Sequence, residues 1–429
     1  MLDLRFIRDN ADVVRRAITA KQLPAALDSL DRLLLLDEEQ RLLKRDLEEK
    51  QAKRNASSKR VGELKRVGSD AADLMGELAG LAGEVKRLED RERSLEQQVN
   101  ALMLEIPNLP HESVPYGASE HDNVVVKEWG EKRQPLFAAR PHWELMVERG
   151  WLDLGAGNKV AGAGFPVFKG AGARLVRALQ AYFLHRAARA GYLEVIPPLV
   201  VNAASATATG QLPDKEGQMY EVTGGFYLIP TSEVPVTNLH RDEILAEESL
   251  PLRYAAFTPC FRREAGCYGK DVRGLNRVHQ FDKVELVQLV RPSDSYAALE
   301  EMTAYAEGLL EELGLPYRRL LMCTGDMGFT QAKKYDLEVW SPGQQRWLEV
   351  SSLSNLEAFQ ATRLKTRFRP GGAAGAGGKG KPEPVHTLNG SALAFPRTIA
   401  ALVETYQQAD GSVTLPAALA QFAGSDSLS

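Results

Sequence analysis

Residues 252–290 read LRYAAFTPCFRREAGCYGKDVRGLNRVHQFDKVELVQLV, and the alternation within this stretch decides how the body of the chain folds. Two runs, 252–262 and 276–290, read as long strands around a loop at 265–274. In the second run Arg277, His279, Phe281, Lys283 and Glu285 alternate with Val278, Val284 and Leu286, the period of two that a pleated strand imposes. Arg262 and Glu264, two apart, share a face in the same way. One face of the hairpin is therefore charged and the other largely apolar. A polar face is ordinary for an antiparallel sheet, but Phe281 inside the charged row adds nothing to solubility and suits stacking on a flat base. The loop carries Gly266, Gly269 and Gly274 with Lys270 and Arg273, a basic segment beside that face.

Around this hairpin the pattern is one of short apolar strands separated by glycines and helices. Residues 175–190, 293–313 and 397–408 read as helices, and 192–196 as a strand stopped by Pro197 and Pro198. Strands with interspersed helices and a long hairpin predict an α+β fold with a mainly antiparallel sheet flanked by helices. Residues 371–381 (GGAAGAGGKGK) read as a flexible loop. Three more stretches hold chemistry. Thr231-Ser232-Glu233 precedes an apolar run, which a helix N-cap also explains. Residues 347–352 (WLEVSS) place Glu349 in an apolar strand, where a carboxylate needs a partner; a divalent metal and a salt bridge both qualify. Pro396 suits a first helical turn, and Arg397 beside it adds charge where a nucleotide phosphate fits. There is no GxxxxGK[ST], and the GxGxxG spacing occurs only at 375–380, inside the glycine-rich loop rather than between a strand and a helix, so nucleotide binding here follows neither of those routes.

The N-terminal segment differs sharply. Leu74, Leu78, Leu81, Val85, Leu88, Glu92, Leu95, Val99 and Leu102 alternate spacings of four and three, a heptad seam with one polar member. Upstream, Leu33, Leu36, Leu43, Leu47, Val61 and Leu64 fit a second seam, with Gln40, Lys50, Arg54 and Ser57 at its polar positions. Val67-Gly68-Ser69-Asp70 separates the two, a glycine followed by N-cap residues. The two helices must lie antiparallel, as a coiled-coil hairpin. Basic residues crowd its tip, among them Lys53, Arg54, Lys59 and Arg60. Most charge runs are solvated helix faces, yet this one runs against a chain whose formal net charge is -4, so nucleic-acid contact stands as an alternative. Residues 106–117 (IPNLPHESVPYG) end the helix with three prolines and read as a hinge. The expected domains are 1–105, a linker at 106–120, and 121–429.

Bulk composition excludes several classes. With 44% apolar and 26% charged residues the chain reads as an ordinary soluble protein. No stretch reaches the ~20 apolar residues of a membrane span, and MLDLRFIRDN lacks the apolar core of a signal peptide. Cys260, Cys267 and Cys323 form no CxxC pair and no zinc spacing with histidine, which suits reduced thiols in a cytoplasmic protein.

These residues resemble class II aminoacyl-tRNA synthetases, and seryl-tRNA synthetases in particular. Residues 191–198 resemble the dimer-forming first class motif, Phe261-Arg262-Arg263-Glu264 the second, and 393–400 with Arg397 the third. Longer marks are similar to the seryl family: IPNLPHESVPYG, PTSEVPVTNLH, REAGCYGKDVRGLNRVHQFDKVEL, EVSSLSN and VHTLNGSALAFPR, together with the hairpin arm. The resemblance implies activation of L-serine with ATP and transfer to tRNA(Ser), with tRNA(Sec) as a further substrate, by a cytoplasmic homodimer. It implies that Arg262 holds the α-phosphate and the serine carboxylate, Glu264 the adenine edge, and Phe281 with Arg397 the two faces of adenine. Arg277, Val278, Val350 and Ser351 join the ATP site, and Glu349 and Ser352 bind Mg²⁺. Thr231, Ser232, Glu233, Glu285 and Ser391 line the serine pocket with Arg262, and no zinc is expected there. Lys53, Arg54, Lys59, Arg60, Lys270 and Arg273 are the expected tRNA contacts. Strict alternation from Glu349 turns Ser352 away, so the strand is expected to end or bulge between them. Two other functions remain compatible: an amino acid–carrier protein ligase, whose kind lacks the long arm, and a non-catalytic RNA-binding protein on a synthetase-like body.

Overall fold

Hydrophobic seams organise the N-terminal segment into two long helices, α1 (Pro24–Arg66) and α2 (Ala72–Met103). The computed structural model describes residues 1–132, 136–264, 273–371 and 380–429, in two compact units, Leu2–Pro107 and Asn108–Ser429. Every seam position of both heptad runs is buried or half-buried, including the polar ones. Glu39 and Lys44 meet Arg91 and Glu92, whereas Lys50 and Gln51 meet Glu84 and Glu89, so the helices are antiparallel. The polar seam member Glu92 is thereby explained: Lys44 lies 3.4 Å from it. Exposed pairs of this kind add little stability; burial of Leu33, Leu47, Val61, Val85, Leu95 and Val99 carries the packing. At the turn Gly68 adopts φ +73°, and Asp70 accepts from the Ala72 N–H at 2.9 Å. The 32 residues of α2 span about 48 Å at 1.5 Å per residue.

The second unit is built on an eight-stranded sheet. Its strands in chain order are β1 (Val124–Trp129), β2 (Leu193–Glu194), β3 (Leu252–Phe261), β4 (Gln280–Val290), β5 (Tyr317–Leu321), β6 (Lys333–Ser341), β7 (Arg346–Glu357) and β8 (His386–Ala394). They lie in the order β1-β5-β6-β7-β8-β4-β3-β2, antiparallel throughout except for the β2–β3 pair. Helices α3 (Ala171–Arg189), α4 (Glu233–Thr237), α5 (Ser295–Glu312) and α6 (Phe395–Tyr406) accompany it. Even-numbered Val284, Leu286 and Val290 of β4 join a core with Leu179 and Phe183 of α3, Leu299 and Met302 of α5, and Ile399 and Leu402 of α6. The odd-numbered Phe281, Lys283 and Glu285 are left for the opposite face. That is the division the period of two requires.

The helices expected at 175–190, 293–313 and 397–408 run Ala171–Arg189, Ser295–Glu312 and Phe395–Tyr406, and three strand boundaries differ from the sequence expectation. The second strand begins at Gln280 rather than 276, because the chain turns through 274–279 after Gly274 at φ +62°. Arg262 and Glu264 lie just beyond β3, with Glu264 at φ +46°, so simple alternation does not govern them. The strand expected at 192–196 shrinks to Leu193–Glu194, ahead of Pro197 and Pro198. Residues 372–379 of the glycine-rich loop and 265–272 of the basic loop, with Lys270 and Cys267, lie outside the described residues. Among the described residues no helix is long and apolar enough to cross a membrane.

Candidate active site

The charged face of β4 opens into a cavity of about 490 Å³ bounded by β4, β6, β7, β8, the start of α6 and the segment that follows β3. Arg262, Glu264, Arg277, Val278, Phe281, Glu349, Val350, Ser351, Ser352 and Arg397 all line it, as do Thr231, Glu233, Glu285 and Ser391. Pairing explains part of this. Glu285 of β4 faces Ser391 of β8 in register, and Ser391 Oγ donates to Glu285 Oε2 at 3.2 Å.

At one end, Arg262 stands over the Phe281 ring, guanidinium carbon 5.2 Å from its centroid, and donates from Nε to the Pro230 carbonyl at 3.4 Å. Arg277 donates to Glu264 at 2.9 Å. Arg397 is held by two backbone carbonyls, donating from Nε to Asn276 and from Nη1 to Glu349, each at 2.9 Å. Burial pushes the Glu349 carboxyl up, but Arg397, Lys334 and Arg262 outweigh it and keep it below its ordinary value.

The expected irregularity in β7 is present. Glu349 pairs with Glu338 and Ser351 with Leu337, so Val350 is an extra residue facing no partner, a β-bulge. The bulge resets the alternation and brings Ser352 to the wall that carries Glu349.

At the other end lies a buried polar cluster. Lys283 Nζ donates to Thr231 Oγ1 at 2.9 Å and lies 2.5 Å from Glu285 Oε2. The Glu233 N–H also donates to Thr231 Oγ1, at 3.3 Å. With both lone pairs engaged, the threonine hydroxyl is left to act as a donor. Glu233 accepts from Gln360 at 2.6 Å and from Asn389 at 3.0 Å, and the same Asn389 amide donates to Glu285 at 3.0 Å. Burial, and then the neighbouring Glu285 charge, push the Glu233 carboxyl up to about 7, with Gln360, Lys283 and Arg262 opposing. A carboxyl raised in the folded state favours folding most below its unfolded value, and that contribution is lost as pH rises through about 7.

Two expected residues fall elsewhere. Ser232 is fully buried, its hydroxyl donating to the Ala256 carbonyl, because the turn into α4 points Thr231 and Glu233 at the cavity and Ser232 behind it. His279 also leaves the charged row: its ring stacks on Phe165 at 5.3 Å and bonds with Tyr220. Conversely, Lys283, Lys334, Gln360 and Asn389 were given no role from sequence. Lys283 stood in the alternating row, which was a usable signal. The partnership of Asn389 with Glu233 and Glu285 spans three separate segments, which no local pattern reveals. Lys59 and Arg60 are exposed on α1, Lys53 is exposed and paired with Glu49 at 2.6 Å, Arg54 is half-buried, and Arg273 is exposed.

An antiparallel sheet whose arginines crowd a cavity, with no glycine-rich phosphate loop among the described residues that line it, has the architecture of a class II aminoacyl-tRNA synthetase core. The family model for the tRNA synthetase class II core domain (G, H, P, S and T) matches residues 220–406, and that for the seryl-tRNA synthetase N-terminal domain matches residues 1–110. The serine–tRNA ligase of Salinibacter ruber is 53% identical over 427 residues, covering 99% of this chain and 98% of that protein. The crystal structure of seryl-tRNA synthetase from Pyrococcus horikoshii complexed with ATP superposes with a TM-score of 0.93 at 34% identity, covering 100% of this chain and 99% of that one. The cytoplasmic serine–tRNA ligase of Naegleria fowleri in complex with AMP gives 0.85 at 28% identity, covering 99% and 97%. The chain belongs to the seryl-tRNA synthetase family, enzymes of the ligase class.

Proposed function

We propose that the cavity binds ATP and L-serine side by side, forms seryl-adenylate, and passes the seryl group to tRNA(Ser), and to tRNA(Sec), recruited by the arm. The observation that carries this reading is the division of the cavity into an arginine-rich end around Phe281 and a buried carboxylate end around Glu233 and Glu285. A nucleotide triphosphate suits the first and a small ammonium-bearing molecule the second.

The serine carboxylate is already ionised, so activation needs no general base. It attacks the α-phosphorus, the bond to pyrophosphate breaks, and the leaving group departs with its charge. Arg262 neutralises the α-phosphate and aligns the carboxylate; Phe281 and Arg397 take the adenine between them, and Glu264 and Arg277 its edge. Val278, Val350 and Ser351 complete the walls. Glu233 and Glu285 receive the serine ammonium and hydroxyl, with Thr231 donating and Ser391 beside them. Pairing the hydroxyl rejects alanine, which would leave buried polar groups unmatched.

Mg²⁺ fits the donor set. Glu349 is held ionised, Ser352 shares its wall through the bulge, and the cavity beside them is open. Two protein oxygens beside a phosphate site suit a cation that keeps its waters. When bound it would offset phosphate charge.

The exposed apolar side chains Leu193 and Ile196, in the segment that resembles the first class motif, and Leu199 and Val200 just beyond it, support a homodimer through this region. Sedimentation should give twice the 47.2 kDa chain mass; a stable monomer at micromolar concentration contradicts it. The working division is an arm at 1–105, a linker at 106–120 and a catalytic body at 121–429, in a cytoplasmic enzyme.

The carboxylate end supplies its own test. An ammonium ion prefers an ionised Glu233, so serine KM in ATP–pyrophosphate exchange should climb as pH falls below about 7, by up to about tenfold per unit. Glu233→Gln should raise KM at pH 8 and flatten that slope. An unchanged slope in the variant removes Glu233 from ammonium recognition.

A further inference from the structure

Behind the cavity, outside the residues assigned above, lies a buried pair with no role in the chemistry: His142 and Glu404, both with side chains fully inaccessible. Glu404 sits on α6 seven residues after Arg397, nearly two helical turns, and so on the same helix face. Its carboxylate is saturated. One oxygen accepts from the His142 N–H at 3.0 Å, His142 Nδ1 at 2.8 Å and Gln344 Nε2 at 3.0 Å. The other accepts from the Ser341 hydroxyl and from the Gly343 N–H at 3.1 Å. Burial raises its pKa, but His142 and Ser341 outweigh that and hold it ionised.

The histidine passes this fixed charge on. Its Nε2 accepts from the Leu275 N–H at 2.9 Å, so that nitrogen carries no proton and the ring proton sits on Nδ1, directed at Glu404. A second branch runs from Glu404 through Gln344, whose Oε1 accepts from Asn276 Nδ2 at 2.9 Å. Both branches end on consecutive residues, Leu275 and Asn276, which line the cavity. The Asn276 carbonyl is in turn the acceptor for Arg397 Nε. Gly274 belongs to the same contact, since a Cβ there would stand 2.4 Å from His142 Nε2.

We infer that the His142–Glu404 pair is a positioning device for ATP: it anchors the return of the basic loop at Leu275 and Asn276 and thereby fixes Arg397 from the side away from the nucleotide. Neither residue touches substrate. The inference rests on the reading that Arg397 holds ATP, and it adds that the arginine's placement is set through Leu275 and Asn276, which His142, Gln344 and Glu404 hold from behind.

ATP–pyrophosphate exchange on the full-length enzyme separates the possibilities. His142→Asn keeps a donor near Glu404 and loses the acceptor for Leu275. His142→Gln extends an acceptor toward Leu275. The first should raise ATP KM about tenfold, the scale of one buried hydrogen bond, with serine KM within about twofold. The second should recover most of that loss. Glu404→Gln, which weakens both branches, should raise ATP KM at least as far. Folded variants in which ATP KM is unchanged, or in which ATP and serine KM rise together, overturn the inference. Arg397→Ala measured alongside identifies the level of any failure. If it raises ATP KM while the His142 and Glu404 variants do not, only the positioning role falls; if it leaves ATP KM unchanged, the assignment of Arg397 falls and takes the inference with it.

Discussion

Arg262→Ala should lower the rate of serine-dependent ATP–pyrophosphate exchange by at least about 10²-fold, the scale of one lost preorganised contact to developing charge. Arg262 leaves the end of β3 with its guanidinium over Phe281 and one nitrogen fixed to the Pro230 carbonyl. It is therefore oriented before substrate arrives. Its charge also acts on both ends of the cavity, since it opposes the rise of the Glu233 pKa and helps hold Glu349 ionised. Removing it unbalances a site containing Glu233, Glu264, Glu285 and Glu349. The loss should fall mainly on kcat, with both substrate KM values raised. Arg262→Lys should recover little, because an ammonium lacks the planar fork that spans phosphate and carboxylate together. The side chain is only partly buried, so melting temperature should barely move. A near-normal exchange rate for Arg262→Ala contradicts its assignment.

The second large effect concerns the arm. The cross-helix pairs locate a place to shorten it, because Glu39–Arg91 and Lys44–Glu92 close the lower part without help from the tip. Excising residues 46–89 and joining the helices by a short glycine-serine turn removes Lys53, Arg54, Lys59 and Arg60 together. Serine activation should stay within about twofold, since no cavity residue is touched. Charging of tRNA should fall by about 10²-fold or more, and what remains should depend less steeply on salt, as expected when several phosphate contacts vanish. Unimpaired charging by the shortened protein contradicts the arm's role and returns the basic tip to an ordinary solvated helix face.

How much of this was legible in the sequence depends on the range of the interaction. The heptads read correctly down to their polar members because a seam is a local repeat, and even the exception at Glu92 finds its cause in Lys44 across the interface. The bulge at Val350 was legible as a conflict, since Glu349 and Ser352 cannot share a face of a regular strand. Failures arose where alternation was extended beyond regular strand. His279 precedes β4, in the turn that follows Gly274, and points to Phe165 instead of the cavity. Ser232, a pocket residue only by the resemblance, turns to the Ala256 carbonyl at the entry to α4, where no strand period applies. The bridge from Asn389 to Glu233 and Glu285, and the pairing of His142 with Glu404, join residues more than a hundred positions apart. Periodicity carries no record of such contacts; only the fold assembles them.

The central claim is that one chain joins serine activation in the cavity to tRNA charging through the arm. It is tested most directly by incubating the enzyme with labelled serine, ATP, Mg²⁺ and a serine tRNA, beside parallel reactions with alanine, threonine and cysteine. The account predicts ATP-dependent labelling of the tRNA with serine and none with alanine. Serine activation without transfer to tRNA, or equal charging by alanine, would contradict it.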